Sequence, residues 1–139
     1  MVYGENCTGN YRFLRGLTLK LKAVPKIENR RSMIYIHNLC EFLFLLIKNG
    51  DTGVFHPQDG ETVTTYKMAA EIGRLNGVCV RTPRLPFMGA AAKLAPPFAK
   101  AFGSLSYPFE MSEYAGGDYR AYGAAEALER TERLWRENG

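Results

Sequence analysis

Apolar and polar positions along the chain alternate in two different periods. Ser32 to Ile36 alternates as a short strand. It runs directly into a helical stretch that Asn38 and Glu41 start as a capping-box-like pair. That helix continues to about Lys48, stops at Asn49-Gly50 and is apolar on most sides, which predicts burial. Tyr11 to Lys22 sets Tyr11, Phe13, Leu14, Leu17, Leu19 and Leu21 among basic residues. This predicts an amphipathic helix, weakened by Gly16, capped by Asn10 and ended by Pro25. Met1-Val2-Tyr3-Gly4 has the character of a strand end followed by a turn.

Further on, Gly53 to His56 is expected as a short strand and Asp59-Gly60 as a turn. Val63-Thr64-Thr65 leads into a helix from Tyr66 to Leu75, with Met68, Ala69, Ile72 and Leu75 on one face and Asn76-Gly77 as its stop. Val78 to Arg81 alternates as a strand. Phe87 to Phe102 is Ala-rich and helical on both sides of Pro96-Pro97. Residues 103–123 form a loop dense in aromatics, and Ala124 to Glu137 a terminal helix with Leu128, Thr131, Leu134 and Trp135 inward. The pattern is mixed α/β with short strands and no repeat.

Composition changes this picture in two places. At 139 residues the chain has one-domain size. Its net charge of +4 is concentrated at one end: residues 1–31 hold seven Lys/Arg against two Asp/Glu, the remainder eleven against twelve. That end can attract phosphate, nucleic acid or an acidic partner, or it can be a solvated helix face. Cys7, Cys40 and Cys79 are far apart and odd in number, which suits a reduced compartment, with Cys40 expected as a small core residue. No signal segment opens the chain, and the most apolar run is too short to span a bilayer, so a cytoplasmic protein is the default.

The chemistry centres on Arg31. Guanidinium stays charged and meets phosphate oxygens in a two-pronged geometry. An arginine just ahead of a buried strand is held by that strand, and Arg30 points the opposite way if the segment is extended. A surface arginine pair is the plainer alternative. Gly9-Asn10-Tyr11, followed by Arg12 and Arg15, opens a helix whose first amides are suited to phosphate, or is an ordinary helix start. His37 and His56 have no partners at metal spacing, so no metal is assigned. The aromatics from Tyr107 to Tyr122 could stack on a base, or cover a core edge. No glycine-rich dinucleotide fingerprint, Tyr-x-x-x-Lys pair, G-x-S-x-G elbow or P-loop is present.

Four blocks carry a resemblance: Met1-Val2-Tyr3-Gly4, Gly9-Asn10-Tyr11, Asn29 to Leu39, and Thr52 to Phe55 with Glu61 to Thr65. Their order and spacing resemble the substrate half of the NAD-dependent epimerase/dehydratase family, the extended short-chain dehydrogenases. Within it, bacterial UDP-glucose 4-epimerase-like sugar-nucleotide epimerases are the most similar. Glu126 to Trp135 resembles that family's closing helix. The resemblance implies an α/β fold: the C-terminal part of an extended short-chain dehydrogenase, helices with a few short strands and an incomplete Rossmann fold. Residues 1–139 would then be one substrate-binding domain lacking the N-terminal NAD-binding half.

The same resemblance implies that Arg31 binds the nucleotide diphosphate of a UDP-sugar, while Asn10 and Tyr11 match a helix start that contacts phosphate or sugar. It puts residues 24–27 beside the uracil. Arg84 lies near the family's second diphosphate arginine, but the Arg-Pro-Gly-Asp motif is missing and the role is not carried over. Catalysis in the family uses NAD and a Tyr-x-x-x-Lys pair. This chain therefore has no catalytic residue to assign, and by itself is expected to bind no NAD. Its expected partners are a UDP-sugar and either a separate NAD-binding half or a second copy, without nucleic acid or membrane. A non-enzymatic module that pairs with a separately encoded cofactor-binding half is the alternative; a small nucleic-acid binder built on the basic first 31 residues is a third.

Overall fold

The computed structural model describes residues 1–84 and 103–137. They form four helices, one 3-10 turn and a two-stranded parallel sheet. These elements fall into two compact units. The helices expected within Phe87–Phe102 lie outside the described residues.

The first unit comprises Met1–Asn6, Ser32–Thr62 and Ser106–Gly139. In it β1 (Val2–Tyr3) pairs in parallel with β2 (Ile34–Tyr35), Val2 opposite Ile34 and Tyr3 opposite Tyr35. The expected strand from Ser32 to Ile36 is thus shorter, because α2 (Ile36–Asn49) begins at once. Tyr35, extended at φ −68° and ψ 139°, is the cap residue of α2, and Asn38 is buried inside its first turn. The expected Asn38 cap is replaced by the Asp59 carboxylate, which accepts the Tyr35 N–H with both oxygens at 3.1 Å. A carboxylate at a helix N-terminus satisfies orphan amides and complements the helix dipole. Gly50, with φ 70°, closes the other end, where its amide donates to the Ile47 carbonyl.

Burial of α2 differs from expectation. Its inner face packs Phe42 against Ile34 and Tyr119, with Leu39, Leu45, Leu46, Phe55 and Tyr114 around them. Its outer face leaves Leu43, Phe44 and Ile47 exposed, and Cys40 with them, so Cys40 is not a core residue. The stretch expected as a strand, Gly53–His56, forms none and lays Phe55 edge-on against Phe42, 5.7 Å between centroids. Tyr114 and Tyr119 close the same cluster at 5.3 and 5.2 Å. These two aromatics of the loop therefore cover a core. The Tyr119 hydroxyl accepts the Gln58 N–H at 3.2 Å and donates to the Ser112 carbonyl at 2.7 Å.

The second unit comprises Cys7–Arg31 and Val63–Leu105. Here α1 (Asn10–Leu21) packs on α3 (Thr65–Leu75), burying Tyr11, Leu14 and Thr18 on one helix and Met68, Ala69 and Ile72 on the other. Gly9, not Asn10, is the cap of α1: its φ of 97° suits glycine, and its carbonyl accepts the first helical bond from Phe13 at 3.0 Å. The helix ends at Leu21, ahead of Pro25, because Lys22 turns left-handed (φ 53°) and donates to Thr18 at 2.9 Å. Gly73 is needed for close approach, since a Cβ there would run into Val80. The expected strand Val78–Arg81 is reduced to one bridge between Ala23 and Arg81. The terminal helix α4 (Ala124–Glu137), in the first unit, buries Ala127, Leu128, Thr131 and Glu132, with Leu134 and Trp135 half-buried.

Candidate functional site

Arg31 lies on an antiparallel bridge to Val63, each residue's N–H donating to the other's carbonyl at 3.2 Å. Beside it Leu105 N–H donates to the Arg30 carbonyl at 2.9 Å. The two arginines differ as the alternation implies: Arg30 is exposed, whereas Arg31 is only 9% exposed. A surface arginine pair is thereby excluded. Burial pushes the Arg31 guanidinium below its ordinary pKa, yet arginine remains a cation at neutral pH. A desolvated cation gains more from an anion than a solvated one does.

Asn29 fixes this segment to the start of α3. Its carboxamide oxygen accepts the Thr65 N–H at 2.9 Å, and its nitrogen donates to Thr65 Oγ1 at 2.7 Å. Arg31 is therefore anchored beside a helix start that carries no acidic residue in its first turn. Lys26 adds a cation whose Nζ lies 5.3 Å from the Tyr66 ring. Asn10 is exposed in the first turn of α1, also free of acidic residues, and Tyr11 beside it is fully buried. Arg31 thus shares one unit with Asn10 and Tyr11, but it stands on the bridge to Val63 whereas they sit together in the first turn of α1.

Sequence reasoning missed a second polar cluster, in the first unit. His37 Nε2 lies 2.6 Å from Glu5 Oε1, and the Tyr35 hydroxyl donates to Glu5 Oε2 at 3.3 Å. Burial pushes the Glu5 carboxyl up, but its backbone bond, His37 and Tyr35 outweigh this and hold it below the usual range. The rings of Tyr35, His37 and Tyr122 stand 5.1 to 6.0 Å apart, and the Arg130 guanidinium lies 4.6 Å over Tyr122. Asn38 ties the cluster to the loop by donating to the Tyr122 carbonyl at 2.9 Å and accepting its N–H at 3.0 Å. The one local signal was His37 itself, two positions from Tyr35; Glu5 and Tyr122 are too distant in sequence to have been linked to it.

Among the described residues no group of three metal-ligating side chains is placed to hold an ion. Nor do they form a dinucleotide cradle: β1 is followed by Gly4-Glu5-Asn6, and β2 runs into α2 with no intervening turn. No described helix is long and apolar enough to cross a membrane.

No family model matches this chain, and no curated protein matches its sequence. Solved structures do match. Against the UDP-glucose 4-epimerase of Thermus thermophilus in complex with NAD, the TM-score is 0.67 at 19% identity, over 97% of this chain and 44% of that one. Against TunA, an NAD-dependent NDP-hexosamine 5,6-dehydratase involved in tunicamycin biosynthesis, it is 0.58 at 17%, over 98% and 43%. The chain thus spans less than half the length of each. Its mixed α/β fold is that of the C-terminal part of these NAD-dependent enzymes.

Proposed function

We propose that this chain is the substrate-binding part of an NAD-dependent sugar-nucleotide epimerase or dehydratase, and that Arg31 binds the diphosphate of a UDP-sugar. The observation that carries the reading is a buried, permanent cation pinned beside the acid-free start of α3. The fold shared with an epimerase and a dehydratase supports it. In this reading the first turn of α1 supplies further donors: Asn10 through its exposed side chain and Tyr11 through its backbone. NAD and the proton-transferring residues belong to a cofactor-binding half, and the chain alone binds no NAD. It works in the cytoplasm and engages neither nucleic acid nor a membrane.

Calorimetric titration with UDP tests the proposal. Binding is expected, with Arg31→Ala weakening it about tenfold or more, the loss of a charge-assisted bond. Arg30→Ala should change it by less than about twofold, since exposed charges contribute little. Absence of heat at millimolar UDP, or equal effects of the two substitutions, overturns it.

One observation favours the second reading, an interaction module for a separately encoded cofactor-binding half. Cys40, Leu43, Phe44 and Ile47 follow one another at helical spacing on the exposed face of α2, and Ile47 is 80% exposed. An apolar row of this kind marks a contact surface. Light scattering of the pure chain should show self-association. Adding a cofactor-binding half should replace it with a one-to-one complex, and Ile47→Glu should abolish both. A monomer indifferent to that half would rule the module out.

A further inference from the structure

The outer face of α1 carries two parallel rows that the reading above does not use. Phe13, Leu17 and Leu21 follow one another four residues apart, with Phe13 51% and Leu21 58% exposed. Arg12, Gly16 and Lys20 run beside them at the same spacing and are all exposed. Where Gly16 lacks a side chain, the rows enclose a shallow groove of about 490 Å³ bounded by Gly9, Arg12, Phe13, Gly16, Leu17 and Lys20. Its floor is almost entirely carbon, and its polar groups are the cations at the two ends. Arg12 and Lys20 stand eight residues apart, about 12 Å along the helix. The helix contains no acidic residue.

Among the described residues nothing packs closely on Gly16. A Cβ added there meets nothing within 4 Å, and glycine inside a helix costs stability relative to alanine. The opposite face of α1 already packs on α3 through Tyr11, Leu14 and Thr18.

We propose that this groove docks an amphipathic helix of a partner protein, one large apolar side chain seated over Gly16 and acidic residues about two turns apart meeting Arg12 and Lys20. Charge complementarity selects this occupant. The chain's own segment 85–102 contains Lys93 and Lys100 and no acid, and α4 interleaves its glutamates with Arg130, Arg133 and Arg136. The gap left where Gly16 lacks a side chain suits one protruding side chain of a helix packed into it. The groove uses Arg12, Gly16 and Lys20 and not Arg31, so failure to bind the peptide leaves the Arg31 reading intact.

Fluorescence anisotropy with a labelled Ala-based helical peptide of about 18 residues tests it. The peptide carries leucines at i and i+4 with glutamates flanking them two turns apart; a control replaces glutamate with lysine. The glutamate peptide should bind, the lysine peptide at least about tenfold more weakly, and added salt should weaken the former. Gly16→Leu fills the groove and should cut binding about tenfold, as should Arg12→Glu with Lys20→Glu. Gly16→Ala should raise Tm while weakening binding, which separates docking from folding. No binding, equal affinity for the two peptides, or indifference to Gly16→Leu overturns the proposal. Preference for phosphatidylglycerol vesicles over the peptide, or self-association lost on Gly16→Leu, overturns it in favour of a membrane or a second copy.

Discussion

Replacing Asp59 with alanine is expected to destabilise the protein by about 3 kcal/mol. The carboxylate is buried and accepts hydrogen bonds from several groups at once. Tyr35 donates its N–H, Asn38 donates from Nδ2 at 2.9 Å and the Tyr3 side chain hydrogen-bonds to it. Leaving a buried donor unsatisfied costs about 1–3 kcal/mol. Removing a buried charge returns some of this, which keeps the expected loss below the simple sum. Urea unfolding measures it, and a loss under about 1 kcal/mol would show that Asp59 does not cap α2. Its pH dependence is distinctive. Burial raises the Asp59 carboxyl above its ordinary value, against the lowering by Asn38, the Tyr35 amide, Tyr3 and Arg120. The folded state therefore holds the proton more tightly than the unfolded state. This contribution is largest below the ordinary carboxylate pKa and declines as pH rises through the raised value. Asp59→Asn should remove that slope.

Asp59 also shows where sequence reading reaches its limit. The ends of α3 are legible, because Met68, Ala69 and Ile72 keep helical period and Asn76-Gly77 is a local stop. The difference between Arg30 and Arg31 is legible for the same reason, since alternation is a short-range property. The cap of α2 is not local: the acid that receives Tyr35 lies 24 residues further on. Asn38 followed by Glu41 imitates a capping box, and only the packed structure reveals that Asn38 instead clamps Asp59 and Tyr122. Likewise Gly9 outcompetes Asn10 as a cap because the chain enters α1 at φ 97°, a value no composition rule supplies. In the candidate site, Arg31 is legible as a candidate from its residue type and its place before a strand, and its burial follows from the alternation. The Glu5–His37–Tyr35 cluster escaped because its members come from two distant segments.

The two faces of α2 should separate sharply under substitution. Phe42→Ala is expected to cost about 4 kcal/mol, whereas Phe44→Ala, two positions away, should change stability by no more than about 0.5 kcal/mol. Phe42 is 4% exposed and meets Phe55, Tyr114 and Tyr119 edge-on at 5.2 to 5.7 Å. Its truncation loses transfer energy, three ring contacts and packing around the cavity left behind. Phe44 is 58% exposed and its removal uncovers little. Both are phenylalanines in one apolar helix, so helix propensity cannot tell them apart and packing alone decides. Urea unfolding of the two variants, with an unchanged m-value, measures the difference. Equal losses would mean that the outer row is already covered in the isolated protein. If instead Phe44→Ala leaves stability intact but abolishes self-association, the outer row serves assembly rather than folding. A helix apolar on two opposite faces then has one face for its own unit and the other for a separate polypeptide surface, which explains why its composition resembles that of a fully buried helix.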